Sequence, residues 1–131
     1  MRSQKGFSLV ELLAALVVLT IVVTTTLAVF VERKKRLNQA SETILAYQVL
    51  ANEAEMQRRV PFDSLLSSKT FLSSTELLMP LDPYTLKVDV DAAKAGIKDV
   101  TMSITWIRGK ATRVASLRLE RVDTGGVGNL W

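Results

Sequence analysis

One stretch limits what this 131-residue chain can become, the apolar run from Phe7 to Val31. Its 25 residues hold a single charge, Glu11, and the hydroxyls of Ser8, Thr20, Thr24, Thr25 and Thr26. A helix rising ~1.5 Å per residue would carry that run roughly 37 Å, more than the ~30 Å hydrocarbon core of a bilayer. The residues beyond Val31 are too polar to share such surroundings, so the sequence reads as a membrane-anchored helix with a small soluble head. A secretory signal would have an apolar region of about 7–15 residues and a small-residue cleavage site. This run is longer and ends in Glu32-Arg33-Lys34-Lys35-Arg36, with no such site. No cleavage is expected at its far end.

About 100 residues remain for the head, enough for a helix on a few strands. Cysteine is absent, which removes disulfides and thiolate chemistry. Histidine is absent too, which removes the commonest general base and transition-metal ligand. With no nucleophile–base pair and no ligand set, the expectation is no enzyme, no cofactor, no metal and no small-molecule substrate. The formal charge of +4 is too modest to imply nucleic acid unless the basic residues cluster.

The residues opening the run carry sharper information. A short basic leader, Met1-Arg2-Ser3-Gln4-Lys5-Gly6, is followed by Phe7-Ser8-Leu9-Val10-Glu11. This sequence resembles the processing site of type IV pilins and of the pseudopilins of type II secretion. The resemblance covers about the first 30 residues. It implies cleavage between Gly6 and Phe7 by a prepilin peptidase, with N-methylation of Phe7. It also implies partners in other pilin or pseudopilin subunits, residence in the bacterial inner membrane as a single-pass chain, and later assembly into a fibre. In that arrangement the N-terminus is cytoplasmic and the head periplasmic or extracellular.

Glu11 fits the same picture on energetic grounds. An ionisable group within a membrane segment costs about 2.5–3.5 kcal/mol on insertion scales, so it ordinarily has a partner or a function. The resemblance supplies one, the Phe7 amine of a neighbouring subunit, and such a pair between packed helices would set register. The plainer reading is a glutamate snorkelling to the headgroups from the first turn. Ala14 and Ala15 permit close helix approach, and Thr20 and Thr24 share a face. No proline or glycine interrupts Phe7 to Arg59. Many major pilins carry a proline in this segment, so the departure points toward a minor pilin or minor pseudopilin, such as the I-type pseudopilin of type II secretion.

Orientation contains a conflict. The resemblance places Arg2 and Lys5 inside and Arg33, Lys34, Lys35 and Arg36 outside, whereas the positive-inside tendency favours the reverse. The alternative is a single-pass binding module with a cytoplasmic head. The four basic residues would also suit anionic headgroups on either side.

The remainder reads as α+β: a long N-terminal helix, membrane-spanning in its first half, packed on a small antiparallel β-sheet, as in pilins. Leader 1–6 and transmembrane segment 7–31 precede a head of 32–131. Within it the spacing predicts helix to about residue 59, a linker over 60–83, a sheet over 84–122 and a tail over 123–131. Leu37, Ala40, Ile44, Tyr47, Ala51 and Ala54, broadened by Leu45 and Leu50, form the stripe expected to face the sheet. Arg33, Lys35, Glu42, Glu53 and Gln57 are expected on the opposite, solvated side. Pro61 ends the helix, and one short helix is expected near Ser74–Met79. Tyr84, Leu86, Val88 and Val90, then Val100, Met102, Ile104 and Trp106, then Ala115, Leu117 and Leu119, alternate with polar residues as strands do.

Asp82, Asp89, Asp91 and Asp99 lack EF-hand spacing and read as a solvated face rather than a calcium site. Arg108, Lys110, Arg113, Arg118 and Arg121 are expected around the last hairpin, solvated or facing a subunit. Nucleic acid is not expected as their partner, since Trp106 is the only aromatic nearby. Gly125–Trp131 reads as a flexible tail, with Trp131 as a residue that could dock on a neighbour.

Overall fold

A computed structural model describes residues 8–124. The chain divides into two compact units, Met1–Gln39 and Ala40–Trp131. The first consists, among its described residues, of the N-terminal part of helix α1 (Leu9–Arg59, 51 residues). Ser8 starts that helix as its N-cap. Its Oγ accepts the Glu11 backbone N–H at 3.2 Å, satisfying one of the donors that the first turn leaves open. The helix is long and apolar enough to cross a membrane, and its apolar window is wholly unburied.

The second unit holds the remainder of α1 and a three-stranded meander, β1 (Tyr84–Lys94), β2 (Ile97–Arg108) and β3 (Ala111–Val122), in the order β1-β2-β3. Both pairings are antiparallel, with Val88 opposite Met102 and Met102 opposite Leu117. Two-residue turns close both hairpins. Gly96 (φ 74°) and Gly109 (φ 62°) supply the positive φ that such turns demand. The inward face is the one expected from the alternation: Val88, Val100, Met102, Ile104, Trp106 and Ala115 are buried, and Tyr84, Leu86, Val90, Leu117 and Leu119 pack around them. This is an α+β, pilin-like fold.

The face that α1 turns to this sheet differs from the expectation. Its buried residues are Glu42, Ala46, Val49, Leu50, Glu53, Ala54 and Gln57. Glu42, Glu53 and Gln57, expected outside, are in the core. Leu37, Ile44 and Tyr47, expected inside, remain 70%, 59% and 46% exposed, and Ala40 and Ala51 are exposed with them. Of the expected stripe only Ala54 is buried, and of the two residues broadening it only Leu50. At ~100° per residue, Ile44 and Ala46 stand about 160° apart, so the two stripes lie on opposite sides of the helix.

Partners within the head explain why polar residues can be buried there. The Gln57 amide donates to Glu53 Oε1 at 2.6 Å and the Ser73 N–H donates to Oε2 at 2.8 Å. Trp106 Nε1 donates to Glu42 Oε2 at 3.3 Å, and Arg108 forms an ion pair with its other oxygen. A buried carboxylate with both oxygens occupied escapes most of the cost of an unpaired one.

The connection between α1 and β1 contains two 3₁₀ turns, Phe62–Ser64 and Glu76–Leu81, where one short helix was expected. Pro80 within the second supplies no backbone donor and limits it to this tighter form. Leu65, Leu78 and Leu81 plug this connection into the core. Ser68 bridges to Val88 through N–H···O bonds of 2.8 and 2.7 Å, and Ser67 Oγ accepts the Val90 N–H at 2.8 Å. The outer edge of β1 is thereby covered, the usual treatment of an otherwise open strand edge.

Candidate functional site

The candidate site is the start of α1. Glu11 lies in its first turn, where the positive end of the helix dipole favours an anion. Its backbone is held by Ser8, and its exposed carboxylate has no ion pair among the described residues. Ser8 and Glu11 together have the spacing of a capping box, a Ser followed three positions later by Glu. That pattern was readable in the sequence and assigns Ser8 a role the hydropathy alone does not. Gly6 and Phe7, the expected processing pair, lie outside the described residues, as does Trp131.

Further along, the four threonines are satisfied within the helix. Thr20 donates to the Leu16 carbonyl at 2.7 Å and Thr24 to Thr20 at 2.8 Å. Thr25 donates to Ile21 at 2.8 Å and Thr26 to Val22 at 2.7 Å. The Thr20–Thr24 face therefore presents methyl groups and already-donated hydroxyls. Val31 is followed by Glu32 and the basic residues 33–36, all exposed.

The comparison with known families bears on this segment. Residues 1–27 match the family described as the prokaryotic N-terminal methylation motif. The chain carries the type IV pilin and pseudopilin signature. Comparison with curated proteins and with solved structures gave no match. The pilin signature thus covers the leader and most of the apolar run, and the head is read from its own residues. The motif implies processing by a prepilin peptidase and assembly with other pilins.

In the head, several of the residues singled out for chemistry are held by ion pairs. Lys87 pairs with Asp89 at 2.6 Å, and Arg118 pairs with Asp99. The hydrogen bond that Arg118 donates to Asp99, and then the charge of that carboxylate, raise Arg118 above its ordinary pKa. No cluster of three or more potential ligands is found among the described residues. The basic residues of the last hairpin divide: Arg108, Lys110 and Arg118 are exposed, as expected of a solvated set, and Arg113 and Arg121 are half-buried. Arg108 is held by Glu42, and Arg121 donates to the Gln57 and Val60 carbonyls at 2.6 and 3.1 Å. Alternation along β3 explains the scatter, because Arg113 and Arg121 share the inward side of Ala115 while Arg118 lies on the outer one. Arg121 closes the C-terminal end of α1, where carbonyls lack helical partners. Lys98 similarly donates to the Phe62 carbonyl at 2.8 Å, with its ammonium 4.7 Å from the Phe62 ring centre.

Proposed function

We propose that this chain is a minor pilin or minor pseudopilin, a structural subunit stored in the inner membrane and drawn into a type IV pilus or a type II secretion pseudopilus. The observation that carries the reading is the methylation motif at residues 1–27, set on a helix whose apolar window is unburied. The peptidase cuts between Gly6 and Phe7, and Phe7 becomes the methylated terminus. Glu11 then meets the Phe7 amine of the next subunit and fixes register. The minor assignment rests on the absence of proline and glycine from Phe7 to Arg59. The exposed stripe Ala40, Ile44, Tyr47 and Ala51 serves as a further subunit-facing surface. Intact-mass and N-terminal analysis of the chain from a host with the peptidase is the test. A mature chain beginning with N-methylated Phe7 is expected; a chain beginning at Met1, or cut elsewhere, overturns the proposal.

A second reading has one observation in its favour, the four basic residues after the run against two before it. It makes the protein a single-pass binding module with a cytoplasmic head. A reporter fused after Trp131 separates the two, since the pilin reading requires activity only outside the cytoplasm.

A further inference from the structure

At Glu32 the helix changes from apolar to strongly charged within one turn. Arg33, Lys34, Lys35 and Arg36 are consecutive and all exposed. Consecutive helical positions advance ~100° around the axis, so these charges point in four directions and ring the helix. Glu32 is the one acid between Leu12 and Ser41, and it is held by Arg36 Nε at 3.2 Å. Arg33, Lys34 and Lys35 are left without an ion pair among the described residues. A groove of about 410 Å³ beside the ring is lined by Ala28, Val29, Glu32, Arg33 and Arg36, placing apolar and basic side chains on one wall.

A protein surface approaching from one side would answer part of such a ring and leave the rest facing solvent. A layer of phosphate groups surrounding the helix answers all of it. The ring also begins two residues after Val31, the last apolar residue of the run. We propose that residues 33–36 form a collar for anionic phospholipid headgroups. Arg33 supplies a planar fork suited to phosphate, and Lys34 and Lys35 act as point charges. The groove beside Ala28 and Val29 takes the start of the acyl chains. This rests on the reading of the run as a membrane-spanning segment and holds for either leaflet. A subunit leaving the bilayer must then shed a ring of bound headgroups, so its departure depends on lipid charge and on salt.

The test uses the full chain reconstituted in phosphatidylcholine vesicles with trace spin-labelled phosphatidylglycerol or phosphatidylcholine. Electron spin resonance measures the motionally restricted fraction of each label. The restricted fraction should favour phosphatidylglycerol about threefold at ~0.1 M salt and lose that preference at ~1 M, where the screening length falls to ~3 Å. The R33Q/K34Q/K35Q variant, which leaves the Glu32–Arg36 pair in place, should show no preference at either salt. Equal restriction of both labels by the unaltered chain overturns the collar while leaving the spanning segment intact. Restriction of neither label overturns both. Full selectivity in the variant, with subunit association lost instead, assigns the ring to an acidic protein partner and also overturns the proposal. The salt dependence of the unaltered chain decides between collar and no collar even if the variant fails to insert.

Discussion

The two sides of α1 beyond residue 40 reverse the usual division between core and surface. One carries Ile44, Tyr47, Ala40 and Ala51 and is open; the other carries Glu42, Glu53 and Gln57 and is closed against the sheet. The difference shows that hydropathy alone does not choose which side of a helix packs. The closed side is apolar where the strands need it to be, at Ala46, Val49, Leu50 and Ala54, and its polar members meet donors supplied from elsewhere in the head. The open side is left apolar although nothing among the described residues covers it, which is the state expected of a surface kept for a neighbour.

The most direct way to break this contrast is to truncate one residue on each side. Leu50→Ala should lower the stability of the head by about 2–5 kcal/mol, as fully buried leucines do, whereas Ile44→Ala should stay within about 0.5 kcal/mol. Thermal unfolding of the full chain in detergent, followed by near-ultraviolet circular dichroism of Trp106, measures both. Equal losses would mean that the open side is packed as tightly as the closed one. The complementary substitution Ile44→Asp should leave that melting curve unchanged and abolish fibre incorporation.

A smaller effect sharpens the account of the closed side. Glu53→Ala removes the acceptor for both the Gln57 amide and the Ser73 N–H and should cost about 2–3 kcal/mol. Glu53→Gln keeps one acceptor oxygen and should cost less. Arg121→Ala removes the side-chain donors to the Gln57 carbonyl, which keeps the Val60 N–H, and to the Val60 carbonyl just past α1. It should cost about 1 kcal/mol, with amide exchange near Gln57 accelerated more than at Ala46. Arg118→Ala lies at the far end of the scale. Arg118 itself is solvent-exposed although the Asp99 side chain is mostly covered, and only a small shift in melting is expected. Its raised pKa means that the cation's contribution is complete below its ordinary value and is lost only as pH rises past the raised one. Melting across neutral pH should therefore be blind to Arg118.

Much of the fold was legible because its signals were local. The alternation at Tyr84–Val90 and Val100–Trp106 identified the inward side of both strands, and Pro61 marked where α1 must stop. The methylation motif over residues 1–27 was legible for the same reason, since its meaning lies in spacing. The closed side of α1 was not legible. Glu42, Ala46, Val49, Leu50, Glu53 and Gln57 recur at helical spacing as regularly as the rival stripe, and only the distant donors Trp106, Arg108 and Ser73 decide between the two. Those donors lie 64, 66 and 20 residues away in sequence from the carboxylates they satisfy. The scattering of the hairpin arginines had a similar origin, because parity along β3 fixes the side of each but not what it finds there.

Under the proposed function the apolar run exchanges lipid for other subunits, and its four threonines have a consequence for that step. Each hydroxyl donates its proton to a carbonyl of its own helix. None has to exchange a partner when hydrocarbon on the outside is replaced by another protein, or the reverse. The polar groups of Thr20 to Thr26 travel with their bonds already made. They add no hydrogen-bond barrier to that passage in either direction, and what remains to resist it is the exchange of packing contacts and the fate of Glu11.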